Sequence, residues 1–252
     1  MQSKVYRLLF LFIFYSSLES QVNTESMRYG SNESLFKQTF DIGFDLEQAS
    51  SKISNSSFSY RLDYTGLKKL SSFFILSYSN SYLEKDNRKD IISNKGFAHG
   101  RSTYQLYDDF FFGEIFLQKE FNDFIFIKDR QLVGSVLRLK LSQSYHLYLG
   151  LGIMSEKEVY EFDPTKDLIR STNYLSGSMN IMENIIFNNI IYFQFDLSNT
   201  NDYRVLLDSM IDFTVNENIS ISCVVNYRFD NDQHENLSKY YYILSNNLSV
   251  SF

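Results

Sequence analysis

Residues 36–47 read FKQTFDIGFDLE, and their side chains alternate between apolar and polar. Successive side chains of a strand point to opposite faces, so this stretch predicts a strand with one apolar and one charged face. The apolar parity holds Phe36, Phe40, Ile42, Phe44 and Leu46, and the other parity holds Lys37, Thr39, Asp41, Asp45 and Glu47.

The same alternation recurs along the chain and predicts about twelve strands, with ends placed to within about 2–4 residues. Each strand is near or above the length of about 9–11 residues that a tilted strand needs to cross a membrane. The predicted strands are 35–48, 54–66, 70–83, 95–107, 110–121, 129–141, 145–155, 169–182, 188–198, 202–215, 219–230 and 239–252.

The composition favours an all-β fold: a closed antiparallel transmembrane β-barrel with an up-and-down meander of these strands. The chain has 24 Phe, 19 Tyr and a single Pro. Proline cannot donate to a strand ladder, and a closed barrel has no edge strand to hold it. The mean hydropathy of -0.25 is compatible with this fold because a barrel alternates lipid-facing and lumen-facing residues.

The connections between the predicted strands also favour a membrane barrel. The even-numbered connections are mostly tight turns, whereas odd-numbered ones include long, charged stretches. Short periplasmic turns and longer external loops are typical of outer-membrane barrels. The long stretches are Glu84–Asn94, Asn122–Lys128, Glu156–Leu168, which contains Pro164, and Asn231–Ser238.

The N-terminus has the order of a secretory signal. Lys4 and Arg7 precede the apolar run LLFLFIFY at 8–15, and small residues follow up to Ser20. This run is too short to span a bilayer, although a buried N-terminal strand is an alternative interpretation. We therefore predict a signal peptide at 1–20, a periplasmic lead-in at 21–34, and an outer-membrane barrel at 35–252.

The C-terminal residues resemble the signal by which barrel-assembly machinery recognises its clients. That resemblance implies outer-membrane lipids and the assembly machinery as partners of a monomeric barrel. The residues that carry it are Tyr242, Leu244, Leu248, Val250 and Phe252.

Charged side chains of the strands are predicted to face the lumen, because Lys or Arg at the lipid midplane costs about 2–4 kcal/mol. Such a network could form a constriction that selects solutes, or it could hold a narrow barrel shut. A barrel of about twelve strands favours a packed or narrow lumen. The predicted lumenal residues are Arg101, Glu114, Gln118, Arg130, Arg138, Arg204, Asp208 and Arg228.

Residues 96–157 resemble the salt-induced outer-membrane protein family, an outer-membrane β-barrel domain of unknown function. Three ordered segments carry the resemblance: EIFLQKEFNDF from Glu114, DRQLVGSVLRL from Asp129, and LYLGLGIMSE from Leu147. Ser135 and Val136 stand where the family is richer in glycine. The resemblance implies a barrel of structural or narrow-pore type and no known activity, and only the family name suggests a link to osmotic or salt stress.

Several other functions find little support in the sequence. The net charge of -6 argues against a nucleic-acid partner, and the lone Cys223 cannot build a cysteine metal site. No cofactor or metal is expected. Gly150 and Gly152 form G-x-G without a following helix pattern, so they indicate space for a bulky neighbour or a bend in a strand.

Two alternative functions stay open at this point. An outer-membrane lipid-modifying enzyme would use one of His99, His146 and His234, although none lies in a convincing catalytic constellation. A soluble periplasmic β-barrel would instead turn its apolar parity inward around an apolar ligand.

The assigned faces can be tested in the first strand. Phe44→Arg should block assembly because it places a charge on the lipid face, whereas Asp45→Asn should be tolerated. Heat-modifiable gel mobility of the refolded variants measures assembly. Equal tolerance at both positions would contradict the assignment.

Overall fold

The computed structural model describes residues 35–48, 52–85, 88–142, 144–216, 219–233 and 238–250. No helix among these residues is both long and apolar enough to cross a membrane. Within them the chain forms twelve strands and one short 3-10 helix, Asp123–Ile125. The strands are β1 (Phe36–Gln48), β2 (Lys52–Leu67), β3 (Leu70–Lys85), β4 (Arg88–Tyr107), β5 (Phe111–Asn122), β6 (Ile127–Ser142), β7 (Leu147–Tyr160), β8 (Lys166–Met182), β9 (Ile185–Asp196), β10 (Tyr203–Asn216), β11 (Ile219–Asp230) and β12 (Tyr240–Val250).

The strands form a single sheet in which each strand pairs with its neighbours in the chain. The order runs from β1 to β12 without a crossover, and every described pair is antiparallel. The sequence prediction of an all-β antiparallel meander of the outer-membrane barrel type is therefore confirmed. Each predicted strand overlaps one observed strand.

The two faces of the sheet differ as the alternation predicts. In β5, Ile115 is 65% exposed, whereas its neighbour Glu114 is 2% exposed. In β1, Phe40, Ile42 and Phe44 lie on the exposed apolar face. The sheet therefore turns its large apolar side chains outward and encloses charged ones.

The sheet curls around a filled interior. The hydroxyl of Tyr174 on β8 donates to Glu114 Oε2 on β5, at 3.2 Å. Leu206 on β10 belongs to the same buried cluster as Phe116 on β5. Strands that are three to five positions apart in the sheet thus touch through the interior.

The odd-numbered connections lie at one end of the barrel, which we call the loop end, and the even-numbered ones lie at the other, the turn end. The prediction of a long loop at Glu84–Asn94 is wrong, because β3 continues to Lys85 and pairs with Arg88 at the start of β4. Continued pairing satisfies backbone N–H and C=O groups while the charged side chains stay exposed.

The predicted loop at Glu156–Leu168 is also too long. Strand β7 continues to Tyr160 and β8 begins at Lys166, which leaves only 161–165 between them, with Pro164 inside this stretch as predicted. Asn122–Lys128 contains the short helix and strand residues on both sides of it. The charged stretches Glu84–Asn94 and Glu156–Leu168 are thus largely extensions of the barrel wall.

Gly150 supplies space for a bulky neighbour, as its place within a strand predicts. A Cβ atom at Gly150 would collide with the ring of Tyr174 on β8. The outward-facing Gly100 differs, since a Cβ there would meet Leu117 and Phe74 at ordinary distances of 3.8 Å.

These two glycines provide a matched comparison. Gly150→Ala should destabilise the refolded barrel by about 1–3 kcal/mol, because the buried Tyr174 ring must move. Gly100→Ala should change stability little. Denaturant unfolding in detergent micelles measures both, and similar losses would show that the Tyr174 contact is not the cause.

Candidate functional site

The loop end of the interior holds an extensive ionic network. Its members come from strands β5 to β8, β10 and β11 and from the connection between β9 and β10. All but Asp230 are buried. We call this group the loop-end network, and it consists of Glu120, Arg130, Glu156, Glu158, Arg170, Asp202, Arg204 and Asp230.

Arg204 lies at the centre of the network and is fully buried. Its Nη1 donates to Glu156 Oε1 at 2.8 Å, and its Nη2 donates to Glu158 Oε1 at 3.0 Å. Its Nε donates to Asp230 Oδ2 at 2.7 Å. A single guanidinium thus joins β7, β10 and β11.

Arg130 repeats this arrangement from the opposite side of the same glutamates. Its Nε donates to Glu158 Oε1 at 2.6 Å and lies 3.2 Å from Glu156 Oε1. Its Nη1 donates to Glu120 Oε1 at 2.7 Å. The two glutamates of β7 are therefore held between two arginines, and the fork geometry of guanidinium suits such shared contacts.

Arg170 ties the network to a loop. It donates to Glu156, and its Nη2 donates to Asp202 Oδ2 at 2.8 Å. Nearby, Lys166 Nζ donates to Asp232 Oδ2 at 2.5 Å, which joins the start of β8 to the connection that follows β11. The loop end is therefore held by ion pairs that involve its connections.

Negative groups outnumber positive ones in the loop-end network. It has three guanidiniums, those of Arg130, Arg170 and Arg204, and five carboxylates. With all groups ionised, three positive and five negative charges leave two negative charges in excess. The shared hydrogen bonds offset part of the cost of burying these charges.

A second, smaller group lies nearer the turn end. Glu114 accepts from Arg101 Nη1 at 3.3 Å, from Arg138 Nη1 at 3.5 Å and from Tyr174, as above. The Arg138 guanidinium also lies 3.8 Å from the centre of the Tyr148 ring. We call Arg101, Glu114, Arg138, Tyr148 and Tyr174 the turn-end cluster.

Apolar side chains fill the space between these two groups. Their buried cluster consists of Phe116, Val136, Met154, Tyr174, Ile190, Tyr192 and Leu206. A cavity of about 40 Å³ remains beside them, lined in part by Arg130, Gln118 and Thr172. Because one water needs about 10–15 Å³ on this measure, the cavity can hold only a few waters.

The loop-end network, the turn-end cluster and the apolar cluster between them together form what we call the plug. The inner face is less filled outside this plug. On β2 and β3 the inward positions toward the loop end carry small hydroxyl side chains that keep contact with solvent. On β11 the inward positions toward the turn end do the same. We call these residues the small-residue wall, and they are Ser57, Ser59, Ser77, Ser79, Ser220 and Ser222.

The structure places all eight predicted lumenal residues in the interior. Arg101, Glu114 and Arg138 come together, as do Arg130 and Arg204. Gln118 joins the loop-end network to His99. Its Nε2 donates to Glu120 Oε2 at 2.9 Å, and its Oε1 lies 3.2 Å from His99 Nδ1. Asp208 and Arg228 form a separate pair, joined at 2.6 Å.

The predicted lumenal residues include only two members of the network, Arg130 and Arg204. The six others were missed: Glu120, Glu156, Glu158, Arg170, Asp202 and Asp230. Glu156 and Glu158 share a parity with the inward residues of β7, but the predicted loop removed them from that strand. An extension of the alternation by three residues would have found both.

The histidines occupy different surroundings. His99 is fully buried, and its ring centre lies 6.0 Å from that of Phe97 and 6.1 Å from that of Phe116. His146 lies in a turn with a left-handed backbone, at φ 41°. His234 is outside the described residues. Among those residues, no group of three or more His, Cys, Asp and Glu side chains could hold a metal ion.

The predicted assembly signal is described in part. Tyr242 and Leu244 lie on β12 with exposed side chains, which agrees with an outward face. Leu248 and Val250 lie on the same strand, and Phe252 falls outside the described residues.

A comparison with protein families decides the family. Residues 38–252 match the family described as "Protein of unknown function, DUF481". The chain belongs to this family. The DUF481 match covers every described strand from β2 to β12 and agrees with the resemblance seen in the sequence. None of the curated proteins compared with the chain matches it.

This DUF481 member is also similar to several solved structures. The translocator domain of autotransporter NalP from Neisseria meningitidis is 11% identical, with a TM-score of 0.45, and the match covers 86% of this chain and 87% of that one. The NanC porin is 10% identical, with a TM-score of 0.48 and coverages of 85% and 100%. The KdgM porin is 11% identical, with a TM-score of 0.42 and coverages of 85% and 99%.

The central arginine can be tested against an outer ion pair. Arg204→Met should destabilise the barrel by about 3–5 kcal/mol, because it leaves buried carboxylates without their cation. Lys119→Met is the control. Lys119 forms an ion pair with Asp129, but its side chain is 67% exposed, so the loss should be about 1 kcal/mol or less. Denaturant unfolding in micelles measures both, and equal losses would contradict the central role of Arg204.

Proposed function

We propose that this chain is an outer-membrane β-barrel of narrow-pore type, in which a plug fills one side of the lumen and a narrow aqueous passage follows the other. The observation that carries the proposal is the contrast between two parts of the inner face. Strands β4 to β10 bury large charged and apolar side chains, whereas the small-residue wall keeps contact with solvent.

The outer face supports a place in a lipid bilayer. It carries large exposed apolar side chains on successive strands, such as Ile42, Leu117 and Val133. An exposed apolar surface of this extent would be unusual for a soluble monomer. The alternative of a soluble barrel with its apolar parity inside does not fit this arrangement, because the enclosed face is the charged one.

An aromatic ladder crosses the outer face of β9 to β12 near the loop end. The ring centres of Phe193 and Tyr203 lie 6.0 Å apart, those of Tyr203 and Phe229 lie 5.5 Å apart, and those of Phe229 and Tyr240 lie 5.1 Å apart. Aromatic girdles of this kind flank the apolar band of transmembrane barrels. The ladder supports a membrane boundary at this height.

The buried contacts of Arg130 and Arg138 bear on whether these side chains line the path of a solute. Arg130 is held by three carboxylates and its side chain is 3% exposed, so it faces protein and not a passing solute. Arg138 is similarly engaged by Glu114 and Tyr148. We propose that these arginines hold the plug, while the small-residue wall contacts solutes.

A non-enzymatic role is part of the same proposal. The His99 ring packs among Phe73, Phe97 and Phe116, and its Nδ1 lies 3.2 Å from Gln118 Oε1, which accounts for this histidine as a packed interior residue. A role in osmotic or salt stress rests on the family resemblance alone.

Site-directed thiol modification in planar bilayers tests the passage. The background variant Cys223→Ser, which lacks the native thiol, should give small, steady conductance steps. A bulky thiol reagent should lower the conductance of Ser79→Cys, because Ser79 lies on the small-residue wall. It should leave Thr172→Cys unchanged, since Thr172 is buried against the plug.

Each possible result has a defined meaning. A silent bilayer containing inserted, folded protein would overturn the passage and leave a closed, structural barrel. Block at Thr172→Cys but not at Ser79→Cys would put the open path on the other side of the lumen. Recovery of the protein from cells without detergent would overturn the membrane location.

A further inference from the structure

One inward carboxylate has only neutral polar partners. Asp212 lies on β10 toward the turn end and is half-buried. Its Oδ1 accepts from Ser222 Oγ at 2.6 Å, and its Oδ2 accepts from Asn188 Nδ2 at 3.3 Å. Within the described ranges, no Lys, Arg or His forms an ion pair with it.

Two nearby inward carboxylates differ in this respect. Asp208, two inward positions away on the same strand, pairs with Arg228, and Glu114 pairs with Arg101 and Arg138. A guanidinium at hydrogen-bond distance neutralises most of the field of a carboxylate. The field of Asp212 is therefore less compensated than that of either neighbour.

Asp212 also lies beside the small-residue wall, since its hydrogen-bond partner Ser222 belongs to that wall. At Ser222, solvent that follows the wall meets this carboxylate together with the neutral hydroxyl of Ser222 and the neutral amide of Asn188. A narrow aqueous path with walls of low dielectric focuses the field of such a charge and raises the local concentration of counter-ions. Rings of Asp or Glu side chains select cations in the same way.

We propose that the passage prefers cations over anions and that Asp212 sets this preference. The inference rests on the proposed narrow-pore function. The two arginines of the turn-end cluster would act in the opposite direction, but their side chains are 3% and 10% exposed and contact Glu114.

The reversal potential of the refolded chain in a phosphatidylcholine bilayer, with unequal KCl on the two sides, tests this proposal. The native chain should show the sign expected for K⁺ preference. Asp212→Asn keeps the size and one accepting oxygen, replaces the other by a donating amide group, and removes the charge. It should lower the K⁺/Cl⁻ permeability ratio severalfold toward one. Asp212→Glu retains the charge and should retain the preference.

Asp167→Asn is the matched control. Asp167 is exposed on the outward parity of β8, so loss of its charge should leave the reversal potential unchanged. Conductance with Cl⁻ preference, or an Asp212→Asn variant that matches the native chain, would overturn the selectivity and leave the passage intact. Absence of conductance from inserted protein would instead overturn the passage, and cation preference with it.

Discussion

The interior of this barrel depends on the sharing of two β7 glutamates between arginines from other strands. Glu156 and Glu158 lie between Arg130 of β6 and Arg204 of β10. Removal of any one member would leave a charge in a site from which water is largely excluded, and that cost is much greater than the gain from one added pair. The network therefore fixes how closely β6, β7 and β10 approach inside the barrel.

The plug follows from this constraint. Once the arginines are fixed, the apolar side chains between the two ionic groups can pack against their stems, and Phe116 lies 5.2 Å from the Arg101 guanidinium. Gly150 completes the arrangement by giving the Tyr174 ring its place, from which the hydroxyl reaches Glu114. Small inward residues on β2, β3 and β11 cannot fill the remaining width, because hydroxymethyl groups are short.

The sequence predicted the strands well because two solvents impose a strict period of two on each of them. Its failures have a common physical origin. Glu84–Asn94 and the stretch after Glu156 carry many charges, which usually indicate a loop, but backbone pairing continues wherever a neighbouring strand is available. The inward parity of Arg204 could be predicted, whereas its choice of Glu156, Glu158 and Asp230 depends on strand tilt and curvature, which local alternation does not encode.

The compensation of charge differs between the plug and the side of the lumen along the small-residue wall. Where each carboxylate has a guanidinium, the side chains neutralise and fill the space together, as Asp208 and Arg228 do. Where a carboxylate has only neutral partners, as at Asp212, water and mobile cations are the remaining sources of positive charge. In the proposed pore, the same distribution of arginines that fills one side of the barrel accounts for a hydrated, negative path on the other.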